Sequence, residues 1–223
     1  MPSKKTLQEP SPPSPPAPIP KTALSLPIAE ETTLEDLHLN AMDLKDLQVL
    51  LLTIRRAKFE HTALTGASLP RVTLTDVDLQ NCDLANVTMP KASLTRVAIS
   101  HSRLVGLGAE ESEWEDAVFT ECQAKYIRFP HTTFRRVLFH NCDLADSDFL
   151  GADIRKVTFL NCDLTRARFS TAQCKGTDFR GSQMEGLTIG SRELQGAIIE
   201  PMQAPIVIRY LGVVVKWPSS ESS

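Results

Sequence analysis

A chain of 223 residues with 24 Lys and Arg against 27 Asp and Glu has a formal net charge of −3, so strong electrostatic attraction of the whole molecule to nucleic acid is not expected. No apolar run approaches the ~20 residues of a membrane-spanning helix, and no apolar segment follows Lys4 and Lys5 as a secretory leader would require. Five cysteines, an odd number at spacings unlike a disulfide framework, make a reducing cytoplasm the expected location.

Residues 1–28 read as a disordered tail. Nine of the 15 prolines fall before residue 28, and the run from Ser11 to Pro18 cannot build a core. An extended linker, partly polyproline II, is expected there. Residues 29–56 are ambiguous. Leu34, Leu37, Ala41 and Leu44 fit a helix face, while Leu34, Leu39, Leu44 and Ile54 fall on a period of five. We read them as an N-terminal cap made of the first, atypical coils of a rod, with a capping helix as the alternative.

Residues 57–199 carry that period throughout. Every fifth residue from Phe59 gives Leu64, Leu69, Leu74, Leu79 and Leu84, and later Phe129, Phe134, Phe139, Leu144, Phe149, Ile154, Phe159, Leu164 and Phe169, with no insertion or deletion. Two positions earlier stand small or β-branched residues such as Ala57, Val77, Val97, Cys142 and Ala152. A large and a small inward residue two apart match a strand, whereas a strict five cannot hold the apolar spacing of a helix. Asn-Cys-Asp-Leu recurs at Asn81, Asn141 and Asn161, which adds a period of twenty. Within the run, 106–114 fits the size pattern least, because Ala109 and Ala124 leave space. A local bulge is expected there, with Trp114 filling the gap.

The units Cys82-Asp83-Leu84, Cys142-Asp143-Leu144, Ala152-Asp153-Ile154 and Cys162-Asp163-Leu164 resemble the pentapeptide-repeat family. The resemblance implies an all-β solenoid, a right-handed four-sided parallel β-helix with four pentapeptides to the coil. Residues 200–217 read as a short C-terminal helix followed by a strand, and 218–223 as a disordered end. The stretch 194–215 resembles the C-terminal segment of quinolone-resistance pentapeptide proteins. That likeness implies pairing of two chains end to end and a type II topoisomerase, DNA gyrase, as a partner.

The helix at 205–211 is apolar nearly all round, which marks Ile206, Val207, Ile208, Tyr210 and Leu211 as a homodimer interface. Folding the period of twenty onto four faces collects Arg135, Arg136, Arg155, Lys156 and Lys175 on one of them, a candidate interaction patch. Just before it, on the same face, stand Glu113, Glu115 and Asp116. Cys82, Cys122, Cys142 and Cys162 share an inward column with no histidine and read as packing residues. Gly106 and Gly108 lack the later glycines of a phosphate loop. No catalytic set converges and a filled solenoid has no cleft, so neither catalysis, cofactor nor metal is expected. The expected role is a rigid protein-interaction scaffold, with gyrase binding as the alternative.

Overall fold

A computed structural model of the chain describes residues 10–12 and 28–214. The disordered tail expected over 1–28 therefore lies largely, and the disordered end over 218–223 wholly, outside the described residues.

Among the described residues seven parallel strands form one sheet in chain order. They are β1 (Thr33–Asn40), β2 (Thr53–Glu60), β3 (Thr73–Gln80), β4 (Ser93–Ser100), β5 (Glu113–Thr120), β6 (Thr133–His140) and β7 (Thr158–Leu160). Each residue pairs with the one twenty positions later, as in Thr33 with Thr53 and Phe59 with Leu79. Two further columns of parallel bridges complete the coil, one through Ala63, Asp83 and Arg103, the other through Ser68, Thr88 and Gly108. The result is the right-handed four-sided parallel β-helix.

The corners explain the five. Every fifth residue from Glu31 to Thr171 has a positive φ, as at Asp36 (53°), Arg56 (50°), Asp76 (56°) and Arg96 (52°). A single left-handed residue turns the backbone and starts the next face, and Asp, Asn and Gly adopt it at least cost. Each long strand bends at such a residue and so serves two faces. Backbone groups are then satisfied between coils, as where Ala41 N–H donates to Glu60 O at 2.9 Å and Ala63 N–H to Met42 O at 2.9 Å.

The interior changes character along the rod. Its first coils are filled by leucine, leaving a void of about 50 Å³ lined only by apolar side chains such as Leu37, Leu64 and Leu84. Its later coils are filled by phenylalanine in two stacks. Phe119, Phe139, Phe159 and Phe179 lie parallel with centroids 4.4, 5.1 and 5.5 Å apart. Phe149 and Phe169 stack at 5.0 Å on the neighbouring face. Rings on adjacent faces cross at 80–85°, as in Phe139 with Phe149 (85°) and Phe159 with Phe169 (80°), which is the square cross-section seen from inside.

The bulge expected at 106–114 is absent. Thr88, Gly108 and Arg128 stay in register, as do Ser93, Glu113 and Thr133. Trp114 takes up the space, fully buried against Phe119 at 5.2 Å and Phe129 at 5.6 Å, with Nε1 donating to Ser112 Oγ at 3.0 Å. At the other doubtful stretch, β1 pairs with β2, so 33–40 is a coil of the rod and no helix.

The rod ends in a 3-10 turn (Pro201–Gln203) and a helix, α1 (Ala204–Tyr210), so the α-helix proper begins one residue before Pro205. Their polar side chains close the last coil. Gln203 Nε2 donates to Phe179 O and Ser182 O, both at 2.7 Å. Tyr210 Oη donates to Met184 O at 2.6 Å and accepts from Leu187 N–H at 2.9 Å. Carbonyls that no further coil could reach are thus satisfied. Val213 and Val214 form no strand, and the rest of the strand predicted over 213–217 lies outside the described residues.

All five cysteines are buried and unpaired by disulfide. The thiols of Cys122, Cys142 and Cys162 donate to backbone carbonyls of Ile99, Phe119 and Phe139. Burial pushes the Cys174 thiol up to about 12 and raises Cys82 as well. Because all five thiols are shut away from solvent, a thiol reagent should label the native protein hardly at all and label all five cysteines after unfolding. Fast native labelling of the column would overturn the register.

Candidate functional site

Stacking at twenty residues brings side chains of successive coils to the spacing of neighbouring strands, ~4.8 Å. Surface charges therefore meet along columns, and acids here are answered by arginine one coil later. Asp83 pairs with Arg103 at 3.2 Å, Asp146 with Arg166 at 2.7 Å and Asp148 with Arg168 at 2.6 Å.

The most regular column runs along one corner as Asp36, Arg56, Asp76, Arg96, Asp116, Arg136. Each arginine grips the aspartate before it with two donors. Arg56 Nε and Nη2 reach Asp36 at 2.6 and 2.9 Å. Arg96 reaches Asp76 at 2.6 and 2.7 Å, and Arg136 reaches Asp116 at 2.6 and 2.9 Å. Sequence reading noticed Asp116 only as part of an acidic cluster. The alternation of aspartate and arginine is legible in the period of twenty.

Depth differs along this column. The Asp36 side chain is 39% exposed and the Asp116 side chain 9%. The Arg136 guanidinium holds the Asp116 carboxyl below its ordinary value of 3.8; burial works against it, and the Ser11 N–H adds to it. Asp76 and Asp116 are buried carboxylates.

The five cations of the predicted patch divide. Arg136 is bound by Asp116 and by Glu115 at 2.6 Å, and Arg155 by Asp153. Arg135, Lys156 and Lys175 are exposed and make no ion pair among the described residues. They are brought together on one face. A surface groove of about 580 Å³ opens at its end, lined by Arg155, Thr171, Gln173, Lys175, Arg192 and Glu193. Among the described residues no cluster of His, Cys, Asp or Glu could hold a metal ion.

The predicted interface residues divide too. Ile206, Val207 and Tyr210 pack against the rod's own core, and Ile208 is half-buried. Leu211 is exposed, as are Ile198, Met202, Val213 and Val214 in the same C-terminal stretch. Ile198 and Met202 were missed because they precede the helix that drew attention.

The family description Pentapeptide repeat region matches residues 72–149, 92–169 and 112–189, and Pentapeptide repeats (8 copies) matches 54–89. The chain belongs to the pentapeptide-repeat family. Among solved structures it is similar to trypsin-treated QnrB1, a plasmid-mediated fluoroquinolone resistance protein, at 18% identity and TM-score 0.41, covering 82% of this chain and 99% of that one. It is also similar to HetL, a pentapeptide-repeat protein involved in heterocyst differentiation regulation in the cyanobacterium Nostoc, at 18% identity and TM-score 0.38, covering 76% and 90%. No curated protein matches by sequence. No helix among the described residues is long and apolar enough to cross a membrane.

Replacing Arg136 by Ala leaves Asp116 charged, buried and without its main partner, so stability should fall by roughly 1–3 kcal/mol in urea unfolding at neutral pH. Replacing Arg56, whose partner is well solvated, should leave the midpoint unchanged within error. Because Asp116 is held below 3.8 in the folded state, its contribution is present above that value and is lost as pH falls through the folded value. The gap between wild type and Arg136→Ala should therefore narrow in acid. Equal effects of the two substitutions would contradict the difference in depth.

Proposed function

We propose that this pentapeptide-repeat protein is a non-catalytic interaction rod whose basic face receives an acidic protein partner. The observation that carries the reading is the division of the patch: Arg135, Lys156 and Lys175 are exposed and make no ion pair among the described residues, on a chain whose arginines elsewhere repeatedly pair one coil back. Unanswered cations on a rigid surface are a standing source of attraction for carboxylates or phosphates. Arg135 supplies a planar fork and the two lysines supply point charges. Both the filled interior and the single regular body favour display of a surface over chemistry.

The reading includes pairing of two rods at their C-terminal ends. Its support is the exposed apolar side chains of Ile198, Met202, Leu211, Val213 and Val214, of which Met202 is 83% exposed and Val214 76%. Such side chains at a capped solenoid end suit a two-fold contact. Sedimentation should return twice the monomer mass at tens of micromolar, and a monomer mass there would refute the pairing.

Binding to DNA gyrase is the second reading, motivated by the C-terminal segment and the exposed end. Mimicry of DNA would need uninterrupted negative charge, since duplex DNA carries one charge per ~1.7 Å. Here acids alternate with arginines along the corner column, which favours the first reading. A supercoiling assay separates the two, with inhibition by this protein expected only on the second.

Exchanging Arg135, Lys156 and Lys175 together for Ser should leave the unfolding midpoint unchanged. It should weaken capture of a poly-glutamate probe severalfold at low salt, and less at ~0.15 M, where screening is strong. Unchanged capture at low salt would remove the basic face as the site.

A further inference from the structure

The basic face ends one rung short. Along it each coil bonds to the next in a fixed pattern. Gln173 N–H donates to Ala152 O at 2.9 Å, and Ile154 N–H donates to Gln173 O at 3.1 Å. One coil later the same pattern would set Glu193 beside Gln173. Residues 191–196 instead form a run of turns, in which Leu194 N–H donates to Gly190 O and Ala197 N–H to Leu194 O, both at 3.1 Å. The next face regains the ladder, where Asp178 pairs with Ile198. No residue is gained or lost across the detour.

Two backbone groups are left over. Among the described residues, Cys174 N–H and Ala172 C=O make no hydrogen bond. Both residues are buried, at 2% and 5% exposure, where an unmade backbone bond is costly. Together they are the donor and the acceptor that one residue of a parallel strand would satisfy. The groove of about 580 Å³ at the end of the basic face lies against both residues.

The groove also shows which chemistry it takes. In the regular pattern Thr171 N–H would meet Gly190 O, as Gly151 N–H meets Ser170 O at 2.9 Å. It donates to Glu193 Oε1 at 3.0 Å instead. A carboxylate has thus taken the place of a peptide carbonyl. At the rim, Lys175 and Arg192 are exposed and make no ion pair among the described residues. Leu194 still packs against the core. The interior is therefore closed, and an incoming segment needs only small side chains on its inner side.

We propose that the groove receives one extended segment of an acidic protein partner, which adds the missing rung beside Gln173. This rests on the reading of the basic face above and supplies its mode of contact. An acidic residue at the rung donates its N–H to Ala172 O and accepts from Cys174 N–H. Its carboxylate points outward to Lys175 and Arg192, and small residues flank it. Main-chain bonds supply the affinity, and the two cations select the acid.

Titration of the full ¹⁵N-labelled chain with the blocked peptide acetyl-Ser-Ala-Glu-Ala-Ser-amide at low salt tests this. Bound peptide should slow exchange of the Cys174 amide at least ~10-fold. Methylating the glutamate nitrogen removes the donor to Ala172 O and should weaken binding about tenfold. Methylating the next alanine nitrogen, which faces away from the ladder, should change binding less than about twofold. Glu193→Gln keeps an acceptor for Thr171 N–H while removing a like charge, and should strengthen binding severalfold at low salt. Peptide that perturbs Arg135 and Lys156 but leaves Cys174 exchange unchanged would overturn the added rung and leave the basic face standing. Equal losses from the two methylated peptides, or no gain from Glu193→Gln, would do the same. Absence of binding at millimolar peptide would overturn both.

Discussion

One left-handed residue in every five is the constraint on which the molecule depends. It turns the backbone at each corner, and it does so at positions occupied by Asp, Asn, Arg, His and Gly alike. Left-handed backbone is costly for most L-residues. It persists here because each corner is over-determined by hydrogen bonds to the coils before and after, as at His61, whose N–H donates to Gln80 O at 3.1 Å. A single inserted residue would shift every later corner and turn the inward residues out. The unbroken register from residue 33 to Asp178 and Ile198 is thus a requirement of the fold.

That register converts a linear sequence into columns, and columns decide both core and surface. Inside, a residue type repeated at twenty becomes a stack, and the phenylalanine stacks give the later coils a denser filling than the leucines of the first. Outside, an acid and an arginine twenty apart become an ion pair. Exposed pairs of this kind contribute little one by one. Where the carboxylate is buried, as at Asp116, its arginine becomes structurally necessary. Among the described residues Arg135, Lys156 and Lys175 escape this pairing, as do Arg71, Arg192 and Arg209, and what marks the first three is that the register gathers them on one face.

Much of the fold was legible because the period is strict. The inward residues, the twenty-residue coil and the buried cysteine column all follow from counting. At 106–114 counting misled, since two alanines suggested a bulge. The indole of Trp114 occupies the volume they leave, as the sequence suggested, and with the space filled the backbone has no need to bulge. The candidate site was legible only in outline. Its five cations were found by register, but which of them were already bound depended on where Asp116 and Asp153 point. The corner column and its contact with Ser11 link residues remote in sequence, which no local pattern reveals.

Native-state hydrogen exchange across the rod tests the central claim most directly. If the five-residue register holds all coils in one body, the amides of 106–114 should exchange as slowly as those of β4 and β6 on either side. Fast exchange confined to 106–114, dividing the rod into two separately opening halves, would contradict it.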